Sequence, residues 1–133
     1  MRYSTRMIPF RVTFRAGVPL FEQVVYAATK AMVSGQLRPG DPFPSVRALS
    51  KELKINPNTA HKIVAALVAQ GVLLTTPAVG SVVAERAAGD RQERADLLGG
   101  ELEQVVVQAK NLGLTLDEVS AGLALQWKKL GRK

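Results

Sequence analysis

The chain has 133 residues, no cysteine and a net charge of +7, and 47% of its residues are hydrophobic. That length suits one compact domain with a small appendage rather than two large cores, and the absent cysteines exclude disulfides and thiolate metal sites. Residues 1–86 hold 11 Lys/Arg against 4 Asp/Glu, whereas residues 87–133 hold 7 against 7, so the basic excess belongs to the first part. Such asymmetry points to a polyanionic partner for that part, ahead of a merely soluble basic face.

Met1-Arg2-Tyr3-Ser4-Thr5-Arg6 leads into no apolar run of signal-peptide length, and no segment is long and apolar enough to span a membrane, so a soluble cytoplasmic protein is expected. Ile8, Phe10, Val12 and Phe14 then alternate with Pro9, Arg11, Thr13 and Arg15, the period of a strand with one apolar and one basic face. Proline makes it an edge strand. It covers the core's edge, or serves as a basic arm near a phosphate backbone or as an exchanged strand at a subunit contact. Residues 1–17 are read as this N-terminal arm.

Pro19 opens a helix with Phe21, Val24, Val25, Ala28, Ala31 and Met32 as its apolar stripe, closed by Ser34-Gly35. The following Leu37–Pro44 stretch is too rich in proline for regular structure and delivers the chain to Ser45, which is placed to cap the next helix. Its rigidity is expected to set where Arg47 points. Val46, Leu49 and Leu53 keep helical spacing, and Asn56-Pro57 restarts the chain with a capping residue and a proline at the first helical position.

In the helix that follows, Ala60, Ile63, Val64, Leu67 and Val68 form the buried stripe. Outside it lie Asn58, Thr59, His61 and Lys62 near the helix start, then Ala65, Ala66 and Ala69. A helix that is polar only where it begins suits one entering the major groove end-first, so that its early residues meet base edges. Taken by itself, the pattern also fits an ordinary amphipathic helix with a solvated face.

Gln70-Gly71 closes this helix. Val72–Thr76 and Ser81–Glu85 are strand-like runs separated by Pro77-Ala78-Val79-Gly80, a hairpin or wing. Three helices followed by such a wing make a winged helix-turn-helix domain over residues 18–86.

Leu37-Arg38-Pro39-Gly40-Asp41, Phe43-Pro44-Ser45-Val46-Arg47-Ala48-Leu49, Ile55-Asn56-Pro57-Asn58-Thr59 and Gln70-Gly71-Val72-Leu73 occur in an order and spacing that resembles the DNA-binding domain of the GntR family of bacterial transcription regulators. The resemblance implies DNA contacts by Arg47, Asn56, Asn58, Thr59 and His61, with Gly80 as the wing glycine. This chain departs from the family pattern in having histidine at position 61, where a basic residue is common, and no cation at the wing tip. Wing contacts to DNA are therefore expected to be weak or backbone-mediated, leaving sequence preference to the helix.

Residues 87–90 read as a linker. Ala95, Leu98, Leu102, Val105, Ala109 and Leu112 then follow a heptad seam, with Leu97, Val106 and Val107 off it and Gly99-Gly100 interrupting it, either to kink the helix or to admit a partner backbone. Asn111-Leu112-Gly113 ends that helix. Thr115 and Glu118 form a capping box for a last one, with Leu114 and Val119 as a hydrophobic staple and Leu116, Val119, Leu123, Trp127 and Leu130 on its inner face.

Two antiparallel helices of this size cannot enclose a core of their own, so residues 87–133 are expected to dimerise through Leu98, Leu102, Val105, Val106, Ala109, Leu112, Leu123 and Trp127; docking within one chain is the alternative. This short tail resembles the YtrA-type subfamily of the GntR family, whose hairpin dimerises and is too small to enclose a large effector.

Catalysis is not expected. His61 is the sole histidine, on the face assigned to DNA, and neither a P-loop nor a dinucleotide fingerprint is present. Asp90, Glu93, Asp96, Glu101 and Glu103 read as a solvated helix face rather than a cation site, and Trp127 as core rather than a ligand wall.

The fold class expected is mainly α with a small β wing: a winged helix-turn-helix domain followed by an antiparallel two-helix hairpin. The expected function is a sequence-specific homodimeric repressor of transcription without cofactor or metal, reading a pseudo-palindromic operator in double-stranded DNA with half-sites about 10 base pairs, or a multiple, apart. Arg47 and Lys62 are assigned phosphate or guanine contacts, and Asn58 and Thr59 read or position bases. Ser45 and Asn56 cap their helices while offering backbone N–H groups to phosphates. Whether a small-molecule effector tunes binding is not legible in the sequence. The competing reading is a winged-helix module that meets an acidic protein.

Overall fold

The structure, a computed structural model, describes residues 10–77, 80–85 and 89–131. The chain divides into two compact units, Met1–Arg86 and Ala87–Gly131.

In the first unit, α1 (Leu20–Val33) starts from Pro19 and ends at Ser34 before Gly35, in the left-handed region at φ 85°. Helix α2 (Val46–Leu53) is followed by α3 (Pro57–Ala69), and α3 packs against both α1 and α2. Gly71, at φ 78°, closes α3: its N–H donates to the Val68 carbonyl and the Val72 N–H to the Leu67 carbonyl, which places buried Val72 beside the helix end. The chain is thereby turned into β1 (Leu73–Thr76), which pairs antiparallel with β2 (Gly80–Val83) in the register Leu73 to Val83 and Thr76 to Gly80.

Val24, Ala28, Leu49, Ala60, Ile63 and Leu67 expose no surface and form the centre of the core, with Leu73 and Val83 bringing the hairpin onto it. Val64 is half-buried. Val68, assigned to the buried stripe from its spacing, is exposed, because Ala60, Ile63 and Leu67 already fill the contact and Val68 lies at the edge of that face.

Two segments differ from their sequence reading. Ile8 and Pro9 lie outside the described residues, and residues 10–15 are irregular rather than a strand. Phe10 is nevertheless buried, stacked on Phe43 with ring centroids 5.8 Å apart, and Val12 packs on the core. One well-placed aromatic anchor secures the segment without a ladder of backbone hydrogen bonds.

Conversely, the proline-rich stretch joins the wing. The Gly40 N–H donates to the Val83 carbonyl (2.8 Å), the Val83 N–H to the Asp41 carbonyl (2.8 Å) and the Phe43 N–H to the Ser81 carbonyl (2.9 Å), with Pro42 bridged to Val82. Proline is tolerated because its neighbours carry the donors and the segment is an edge.

The second unit begins where a linker was expected. Asp90 caps α4 (Arg91–Asp96): its carboxylate accepts from the Glu93 N–H, and the Glu93 carboxylate accepts from the Asp90 N–H. Residues 87 and 88 lie outside the described residues. Leu97–Glu101 is a π-helical turn that carries Gly99 and Gly100, and α5 (Leu102–Asn111) continues from it. With i→i+5 bonding, Leu102 donates to the Leu97 carbonyl, so Leu97 is brought toward the line of Leu102 instead of lying off the seam. The glycines, read as a kink or a place for a partner backbone, therefore lie in a wider turn of the helix.

Gly113, at φ 79°, reverses the chain, with the Leu114 N–H on the Ala109 carbonyl. Helix α6 (Leu116–Lys129) starts from the Thr115–Glu118 capping box.

In the second unit Leu98, Leu102, Val105, Val106, Leu112, Leu123 and Trp127 are all exposed, Leu112 at 74%. Within the chain, then, Leu123 and Trp127 are not core. Of the residues assigned to dimerisation, Ala109 is buried.

Replacing Phe43 with Ala removes the partner of Phe10 and leaves a cavity beneath the chain entering α2. Urea unfolding followed by circular dichroism is expected to show a loss of about 3 kcal/mol or more.

Candidate nucleic-acid interface

The turn between α2 and α3 determines how their first turns are presented, and it is tied from both sides. The Ile55 N–H donates to the Ser50 carbonyl (3.0 Å), while the Ser50 hydroxyl donates to the Ile55 carbonyl (2.7 Å). Between them Lys54 adopts the left-handed conformation, at φ 55°. A non-glycine residue there costs on the order of 1 kcal/mol, which the paired bonds offset.

Each helix is then capped as its sequence dictates. The Ser45 hydroxyl accepts from the Ala48 N–H at 3.0 Å, and the Asn56 side-chain oxygen accepts from the Asn58 N–H at 2.7 Å, with Pro57 at the first helical position. Capping leaves the amides of Val46, Arg47 and Thr59 without a partner among the described residues.

Neither helix carries an acidic residue in its first turn, whereas α1 has Glu22, α4 has Glu93 and α6 has Asp117 and Glu118 there. The partial positive charge at the starts of α2 and α3 is thus not offset by a carboxylate in their own first turns. The absence of acids from these two first turns is itself legible in the sequence.

Burial sets the rotation of α3. With Ala60, Ile63 and Leu67 inward, Asn58, Lys62, Ala65 and Ala69 fall on the opposite line, because each residue advances about 100° around the axis. Thr59 and His61 flank that line. Thr59 and Lys62 border a hollow with Phe21 of α1, and His61 borders another with Val46 at the start of α2 and Thr75 of the wing.

Ser45, Arg47, Asn56, Asn58, His61 and Lys62 are exposed and Thr59 is half-buried; the side chains of Arg47, Asn58, Thr59, His61 and Lys62 make no hydrogen bond or ion pair among the described residues. The structure therefore gathers these residues around the first turns of α2 and α3. Gly80 is elsewhere, in the hairpin opposite Thr76, exposed at φ 95°, a conformation that strains any residue bearing a Cβ. The wing-tip residues Ala78 and Val79 lie outside the described residues.

A helix-turn-helix with uncommitted polar groups on its second helix, followed by a two-stranded wing, defines a winged-helix DNA-binding domain. Residues 20–83 match the sequence profile of the bacterial regulatory proteins, gntR family. Over 110 residues the chain is 32% identical to an uncharacterized HTH-type transcriptional regulator YhcF of Bacillus subtilis (strain 168), covering 83% of this chain and 91% of the relative. It is 28% identical over 106 residues to the HTH-type transcriptional repressor YtrA of the same organism, covering 79% and 82%.

The chain belongs to the GntR family and is a transcriptional regulator rather than an enzyme. Its fold is shared with a transcriptional antiterminator from Listeria monocytogenes EGD-e, at a TM-score of 0.80 and 21% identity over 93% of both chains.

Because the Asn56 cap satisfies an amide that the helix cannot, Asn56→Ala is expected to cost about 1 kcal/mol. Urea denaturation measures it, and Asn56→Ser should restore most of the loss.

Proposed function

We propose that this regulator is a homodimeric, sequence-specific repressor acting in the cytoplasm, with residues 18–86 as the DNA-binding domain, residues 87–133 as the dimerisation tail and residues 1–17 as an arm beside the first. The observation that carries the reading is the cluster of unspent donors and acceptors at the starts of α2 and α3, combined with the absence of any acid in either first turn. Phosphates are the ligand that two uncompensated helix N-termini and the Arg47 guanidinium accept together.

Asn58 and Lys62, on the outward line of α3, then reach base edges in the major groove, with Thr59 and His61 at its margins. Ser45 and Asn56 direct open amides to the backbone, and Gly80 lets the wing approach it. The repressor assignment is supported by the relative YtrA, which bears that description.

Dimerisation is supported by the tail. Leu98, Leu102, Val105, Val106, Leu112, Leu123 and Trp127 present exposed apolar surface in that unit. Fully covering each such side chain contributes about 1.5–3 kcal/mol, so two copies have ample driving force. Twofold pairing turns one recognition helix into two, matched to a pseudo-palindromic operator.

Arg47→Ala should abolish most binding to an operator selected from random duplexes while leaving the dimer's mass unchanged; an unaltered gel-shift affinity would sink the assignment. A subtler test is Asn56→Asp. Aspartate caps as well as asparagine, so stability should hold, yet a carboxylate beside the phosphates should weaken the complex by about tenfold. For the tail, Val106→Asp is expected to convert the dimer to monomer in sedimentation and to lower operator affinity with it. An acidic-protein partner predicts no linear log-log loss of duplex affinity with salt; a DNA partner requires it.

A further inference from the structure

A second charged hollow lies away from the α2–α3 face. Arg11, Thr13 and Arg15 from the N-terminal segment and Glu22, Tyr26 and Lys30 from α1 line a cleft of about 540 Å³. Phe21 faces the α3 side, where it meets Thr59 and Lys62, and Lys30 follows it by two and a half turns of about 3.6 residues, which places the cleft on the opposite side of α1. The polyanion proposed for the reading head therefore does not account for it.

The cleft has a fixed wall. Gln23 holds the segment with three hydrogen bonds: its side-chain oxygen accepts from the Arg15 N–H (2.7 Å), and its amide donates to the Arg15 carbonyl (2.9 Å) and the Val18 carbonyl (2.7 Å). Phe10, buried against Phe43, anchors the other end.

Three cations thus share one hollow with a single carboxylate, Glu22, and the side chains of Arg11, Arg15 and Lys30 make no hydrogen bond or ion pair among the described residues. One carboxylate leaves the three cations with a net positive excess in the hollow, and a bound anion offsets it. Two arginine forks suit phosphate oxygens in particular, the Tyr26 ring supplies an exposed aromatic wall, and the volume falls within the roughly 300–1,000 Å³ of small-molecule sites.

We propose that this cleft binds a small phosphorylated polyanion, making it a ligand site separate from the DNA-reading face.

The probe is inorganic pyrophosphate, titrated into the full chain by calorimetry at constant ionic strength. Saturable binding of one pyrophosphate per chain is expected. Because Arg11 and Lys30 are exposed, the Arg11→Glu/Lys30→Glu variant should keep its circular dichroism spectrum while its half-saturation concentration rises at least about tenfold, and Lys30→Gln should give a smaller rise. Arg47→Ala should leave pyrophosphate binding intact.

Three outcomes would overturn the proposal: no saturable binding to the unmodified chain, equal binding by the double variant, or loss of binding in Arg47→Ala, which assigns the anion to the reading head. A double variant that weakens duplex DNA as much as Arg47→Ala does would also overturn it, by assigning the cleft to the DNA backbone.

Discussion

The structure of the reading head depends on the rotation of one helix. Ala60, Ile63 and Leu67 have no exposed surface, and a helix seated by three such residues cannot turn about its axis without opening cavities against α1 and α2. That seating decides which side of α3 faces outward. The exposure of Asn58, His61 and Lys62 is a consequence of core packing, and so is the near-bare alanine surface of Ala65 and Ala69 beyond them. The Ser50–Ile55 pair then fixes where along its axis α3 begins, because it ties the last part of α2 to the residue that precedes Asn56.

Local devices were legible in the sequence, since each involves residues a few positions apart. The Ser45 and Asn56 caps, Pro57 at the first turn, Gly71 and Gly113 past helix ends and the Thr115–Glu118 box all occupy the places their chemistry predicts. What escaped was non-local or depended on a rare geometry. The pairing of Gly40, Asp41 and Phe43 with the wing joins segments some forty residues apart, and three prolines in the stretch argued against any ladder. Residues 10–15 carry a strand's period but find no strand beside them; their alternation records only that Phe10 and Val12 face the core. The π-turn at Leu97–Glu101 leaves the helical pattern looking merely interrupted, because an i→i+5 bond and a glycine-induced kink produce the same irregularity in spacing. At the site, the positions of the polar residues could be read, whereas the meaning of missing acids in α2 and α3 emerged only beside the acid-bearing helices.

The two units apply the hydrophobic effect differently. The first seals a continuous core of large apolar side chains, Val24, Leu49, Ile63, Leu67 and Leu73 among them, and leaves only scattered ones such as Phe14 and Leu74 at the surface. The second leaves leucines and valines uncovered on helices with well-formed caps, so its secondary structure is locally supported while its packing is incomplete. Capping boxes at both Asp90 and Thr115 suit that situation: helices whose apolar side chains are exposed depend on satisfied ends. Gly99 and Gly100 fit the same logic, since a Cβ on either would meet nothing within 4 Å among the described residues beyond its own helix's backbone. Each costs about 0.5–1 kcal/mol of helix stability relative to alanine, and no contact within the unit returns it.

This division of labour makes dimerisation a condition of specificity under the proposed function. The polar surface of α3 is confined to its opening turns, and the alanines that follow offer apolar contact with little base discrimination. A single head with so few reading groups gains a handful of contacts, each worth about 1–3 kcal/mol, against a large excess of non-specific sites. Joining two heads converts the second binding event into an intramolecular one, raising avidity without any new kind of contact. Under that proposal the tail supplies the joining. Operator occupancy then follows the protein's own concentration, because weakening the tail contact halves the reading surface and removes the avidity together.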